Sequence, residues 1–247
     1  MNPHLSMRSG NPALNSKIFK TAIHDGSGVM TIEGTVNKTA LSLIMLMTTA
    51  LYSWINPNPG LMILGGIGGF IMALITIFKK TWAPYTVSGY ALLKGLALGG
   101  ISRFYEAQYP GIVSQAVFLT FGILAALLLA YKSKLIKPTE NFKLGLMAAM
   151  GGIFLVYLIS FIMSFFGSGI SILSPNNSSI FSIGLSLFIV VIASLNLVLD
   201  FDFIEEGAEK GAPKYMEWYG AFGLLVTLIW LYLEILRLLA KLQSRRN

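Results

Sequence analysis

The chain contains no cysteine and only two histidines, His4 and His24. The first absence excludes disulfides, thiolate metal sites and thiol redox chemistry. Both histidines fall near the N-terminus, so none is left for a proton relay or metal site in the apolar remainder. Charge is scarce as well: 12% of residues are charged, against roughly 25% in a soluble domain. An ordinary water-facing surface is excluded. No nucleophile-and-base pair or metal-ligand spacing can be read either, so an enzyme is not expected.

What is present is apolar: 55% of the 247 residues are hydrophobic, in runs as long as a bilayer is thick. A spanning helix needs about 20 apolar residues. Seven stretches qualify: Thr39 to Ile55, Gly60 to Phe78, Thr86 to Ser102, Ile112 to Tyr131, Leu144 to Phe166, Ile180 to Phe203 and Trp218 to Leu239. The turn Asn56-Pro57-Asn58-Pro59 makes the first two a tight hairpin, and Ser168 to Ser179 reads as an uncharged polar loop. The expected organisation is all-α and polytopic: an N-terminal segment over 1–38, a seven-helix membrane domain over 39–240 and a basic tail over 241–247.

The net charge of +7 does not point to nucleic acid, because the basic residues sit in short connections and not on one face with aromatics. They orient the helices, since Lys and Arg of short loops are retained in the cytoplasm. Every second connection is basic: Lys79 and Lys80, then Lys132, Lys134, Lys137 and Lys143, then Lys210 and Lys214. The intervening loops carry only Arg103. The N-terminal segment has no apolar core of the signal-peptide kind and is expected in the cytoplasm, with Ser168 to Ser179 outside. An odd helix count places the C-terminus outside; Lys241, Arg245 and Arg246 argue the other way, which leaves a re-entrant last helix, or a count of six or eight, as alternatives to seven.

Gly65-Gly66-Ile67-Gly68-Gly69 follows no strand and lies inside an apolar run, so it fits close helix packing and not a phosphate loop. Ionisable residues at membrane depth are costly and are functional candidates by default. Four qualify: Lys94 in the third run, Asp200 and Asp202 at the end of the sixth, and Glu234 in the seventh. Arg237, three residues on, offers Glu234 a local partner. Lys94 either snorkels or pairs with Asp200 or Glu234. Asp202, two residues from Asp200, points elsewhere on a helix and fits the start of the polar run Glu205 to Gly211. Hard cations such as calcium take oxygen ligands, and burial raises a carboxylate pKa, so carboxylates at this boundary suit both proton sensing and cation handling.

Asn196-Leu197-Val198-Leu199-Asp200, the following Ile204 to Gly211 and the ending Ile235-Leu236-Arg237-Leu238-Leu239 resemble the Bax inhibitor family, also called the transmembrane Bax inhibitor motif family. Tyr90 to Gly100 and Pro110 to Thr120 look like its third and fourth helices. The resemblance covers most of Lys38 to Leu239 and is specific in the last third. It implies seven helices with the last one central, and a pH-gated calcium leak controlled by a shared proton between aspartates on helices six and seven. Asp200 matches the first aspartate and is the implied ion ligand. Thr227 stands where the second is expected, with Glu234 two turns on as a substitute, and Lys79 is the nearest basic residue to the family's helix-two arginine. The expectation is a divergent branch in a bacterial inner membrane: a pH-sensitive calcium or cation leak with no cofactor beyond the transported ion. The alternatives are a regulator that binds a membrane protease and a proton-coupled carrier with Lys94 and Glu234 as its alternating pair.

Overall fold

The computed structural model describes residues 28–167 and 169–246; His4 and His24 lie outside them. Seven long helices follow one another: α1 (Ile32–Ile55), α2 (Pro59–Phe78), α3 (Ala83–Gln108), α4 (Ile112–Lys132), α5 (Glu140–Ser164), α6 (Ile180–Glu209) and α7 (Met216–Arg246). Short 3-10 turns occupy Lys80–Trp82 and Ser171–Leu173. Local chemistry sets the starts. Thr31, Asn58, Thr139 and Ser179 cap α1, α2, α5 and α6 with side-chain oxygens that accept from the first turn. Gly111 enters α4 at φ 86°, a backbone conformation suited to glycine. There the Glu106 carboxylate accepts from the amides of Gly111 (2.6 Å) and Val113 (3.1 Å), a negative group at the positive end of α4.

The seven expected spans are present, with corrected ends. Helix α1 begins at Ile32, so the proposed N-terminal segment gives up its last residues to the bundle. Helix α6 continues through Glu209, so most of the polar run after Asp200 is helical. Helix α7 runs to Arg246, and Lys241 is a buried helical residue.

Among the described residues six helices are long and apolar enough to cross a membrane. The exception is α3, and its packing supplies the reason: it turns a small-residue surface inward. A Cβ on Gly95 would lie 2.2 Å from the Leu46 carbonyl oxygen, and one on Gly99 2.1 Å from that of Ala50. On α2, a Cβ on Gly65 would lie 2.4 Å from the Leu93 carbonyl oxygen. Helices α1 and α2 thus rest on α3 backbone to backbone, as small-residue interfaces permit in lipid. The glycine run of α2 packs as expected through Gly65 and Gly69, while Gly66 faces open space.

Helix α7 is the central element. It packs directly on α1, α3, α4 and α6, and its Leu225, Leu231 and Leu236 are fully buried. Large apolar residues face outward elsewhere, among them Phe78, Phe118 and Phe166, as a lipid-facing surface requires. Because the helices alternate in direction, the Lys79, Lys132, Asp202 and Met216 ends gather at one side of the bundle, called here the basic end, and Arg103, Ser171 and Arg246 at the other.

Candidate functional site

Asn196 and Asp200 are four residues apart on α6 and share a face, which meets Gly223 and Thr227 of α7. The Asn196 amide donates to the Thr227 hydroxyl at 2.8 Å. Having accepted that bond, the hydroxyl keeps its own hydrogen and lies beside the Asp200 carboxyl. Gly223 faces the carboxyl: a Cβ there would stand 3.5 Å from Asp200 Oδ1, in ordinary contact. The second oxygen, Oδ2, is shut off from solvent and has no hydrogen-bond partner. Such an acceptor costs about 1–3 kcal/mol, and more when charged. The carboxyl lies nine residues inside the basic end of α6, or about 14 Å along the axis.

Of the residues singled out in the sequence, Asp200 and Thr227 are brought together and the others are not. Asp202 points away and pairs with Lys143 of α5 at 2.7 Å, with Glu140 3.6 Å from the same ammonium. Glu234 is two turns along α7 from Thr227 and belongs to a different network. It pairs with Arg237 at 2.9 Å and accepts from the Tyr157 hydroxyl at 2.7 Å, while Arg237 donates to the same hydroxyl at 2.5 Å. The local Glu234–Arg237 pair is thus as expected, reinforced from α5.

The expected pairing of Lys94 with Asp200 or Glu234 is not formed. Among the described residues it forms no salt bridge; its stem lies against Gly69, where a Cβ would come within 2.9 Å of Cε, and its ammonium sits 6.0 Å from the centre of the Tyr90 ring. Side chains on a helix lean toward its N-terminus, which carries this one toward Tyr90 one turn back. Lys79 caps the end of α2 and sits over the Trp82 ring at 5.8 Å, so it is not the partner of Asp200.

Two buried charges escaped the sequence reading. Glu217, in the first turn of α7, is 0% exposed. Its carboxylate accepts from the Thr31 amide at 3.0 Å and the Thr31 hydroxyl at 2.9 Å, and it pairs with Lys38 at 2.5 Å and Lys214 at 2.9 Å. Only Lys214, three residues away, gave any local signal. At the far end, the Lys241 ammonium donates to the carbonyls of Ile172 (3.0 Å) and Ser182 (3.3 Å) and to the Ser186 hydroxyl (2.8 Å). Nothing in sequence separated it from the arginines that follow.

Among the described residues no three of His, Asp or Glu gather as a metal cluster would require. The oxygens at Asp200 are one carboxylate, one hydroxyl and one amide carbonyl, far short of the 6–8 ligands calcium takes when held firmly.

Comparison with known proteins gives one family match: the family model described as Bax inhibitor 1 like covers residues 11–244. No curated protein matches the chain.

Proposed function

Because the chain belongs to the Bax inhibitor 1-like family, we propose that this multi-pass membrane protein is a pH-sensitive calcium or cation leak pathway with Asp200 as its gate. The observation that carries the reading is the carboxyl at the α6–α7 contact: it lies beside the Thr227 hydroxyl, and its Oδ2 is shut off from solvent with no hydrogen-bond partner. An ionised carboxylate only accepts hydrogen bonds, whereas a protonated one donates as well. Gain or loss of one proton therefore changes what α6 can offer α7 at this point. With Thr227 in place of a second aspartate, the gate is a one-proton device and not a shared-proton pair. A single carboxylate with neutral oxygens beside it also suits passage, since a conducting site must bind weakly enough to release.

The basic end is cytoplasmic in this reading, by the retention of Lys79, Lys80, Lys132 and Lys134, and the membrane is a bacterial inner membrane. The carrier alternative loses its proposed pair, because Lys94 and Glu234 have separate partners.

Calcium flux into proteoliposomes at about pH 6 and pH 8, a window that suits a buried carboxyl, tests the proposal. Asp200→Asn, which fixes the uncharged form, is expected to lose most of the pH response, and Asp202→Asn to keep it. A full response in Asp200→Asn removes the gate. No cation flux in the wild type at either pH removes the channel and leaves the regulator that binds a membrane protease.

A further inference from the structure

Residues 28–31, just ahead of α1, cross the basic end of the bundle and are fastened there at two points, a backbone bridge and a side-chain network. Val29 forms an isolated antiparallel bridge with Pro213. The Met30 amide donates to the Ala212 carbonyl at 2.7 Å. Thr31 gives its amide and hydroxyl to Glu217, and the same carboxylate is held by Lys38 and Lys214. The fit is tight: a Cβ on Gly34 would lie 2.1 Å from Glu217 Oε1.

Between these fasteners the Met30 side chain is 2% exposed and fills space that two glycines leave open. A Cβ on Gly207 of α6 would lie 3.0 Å from its sulfur, and one on Gly220 of α7 3.6 Å from its terminal methyl. Ile204, also 3.1 Å from that Gly220 position, is one turn from Asp200 on α6. Gly220 precedes by one turn the Gly223 that faces Asp200. The methionine is thus wedged into the same α6–α7 seam that contains the Asp200–Thr227 contact, toward its basic end.

We propose that residues 28–31 are a strap whose Met30 wedge and Glu217 fastening hold the α6–α7 seam closed and set how readily the Asp200 contact opens. The inference rests on the leak reading for its functional consequence, not for its geometry. Lifting the strap strips a fully buried carboxylate of two hydrogen-bond donors, so release is all-or-none and not gradual.

The absence of cysteine makes the test direct. The full chain is reconstituted in vesicles and read out twice: by calcium flux, and by labelling of a single Ile204→Cys with an impermeant maleimide. Met30→Ala is expected to raise both by about fivefold or more, a modest shift between two states, while Met30→Leu, which refills the space, stays near wild type. Val29→Cys with Pro213→Cys places two sulfurs on an antiparallel bridge whose Cα atoms stand about 4.5–5.5 Å apart, within disulfide reach. That crosslink, made without Ile204→Cys so that its two cysteines are the only ones, is expected to lower calcium flux, with reductant restoring it, and it decides the matter if Met30→Ala does not fold. Labelling that responds to the strap in vesicles without cation flux keeps the strap and removes the leak. Flux in the wild type, with labelling and flux indifferent to Met30→Ala and flux indifferent to the crosslink, overturns the strap and leaves the leak standing.

Discussion

Two buried carboxylates stand near the same end of the bundle and are treated in opposite ways. Glu217, where α7 meets α1, is met by two hydrogen-bond donors from Thr31 and two ammonium groups. Asp200, where α7 meets α6, has one oxygen with no partner at all. A fully matched charge resists change, because any movement leaves it or its partners bare. A half-matched one has a second arrangement available, with the proton on the free oxygen. On the proposed function the contrast separates a fixture from a switch at one end of the bundle, and substitutions at the two places are expected to differ in sign.

The largest effect is expected at the fixture. Glu217→Ala leaves Lys38 and Lys214 facing each other around an empty space, and breaking a buried pair in this way costs about 3–5 kcal/mol; thermal unfolding in detergent is expected to show a steep loss. Next comes Thr227→Val, which takes the hydroxyl away from beside Asp200 and orphans the Asn196 amide, for a loss of about 1–3 kcal/mol. Asp200→Asn should move the other way, neutral to stabilising by about 1 kcal/mol, since it removes a poorly satisfied acceptor. A destabilisation as large as that of Glu217→Ala would mean that both carboxylates are fixtures. The smallest effect belongs to Asp202→Asn, a half-exposed pair with Lys143, worth about 0.2–1 kcal/mol and reduced by salt.

The helices were legible because a bilayer imposes length and apolarity on each span: six of the seven runs lie within observed helices, and the fifth overruns α5, which ends at Ser164, by two residues. Their ends were less so: α6 and α7 extend past the apolar stretch because Glu205 to Glu209 and Lys241 to Arg246 continue the helix in polar surroundings, where hydropathy gives no signal. Asp200 stood out by the cost of its depth and by resemblance, and Thr227 only by resemblance. The Glu217 fixture was hidden because Thr31 and Lys38 lie 186 and 179 residues away in sequence, and a glutamate next to a polar loop looks solvated. Lys94 was given a carboxylate partner on cost alone. An aromatic face one turn back and a glycine that admits its stem meet part of that cost without one.

The three oxygens around Lys241 carry a consequence for how the protein is made. Ile172, Ser182 and Ser186 are all synthesised before Lys241, and folding during synthesis proceeds from the N-terminal side. The last helix therefore carries its lysine to a berth that the preceding loop and the start of α6 have already furnished. Until that berth is occupied the ammonium must stay hydrated, so the seating of the last turns of α7 depends on docking and not on hydrophobicity alone. Lys241→Met frees insertion from that dependence, and a truncation ending before Lys241 removes the anchor that tells the finished bundle it is complete.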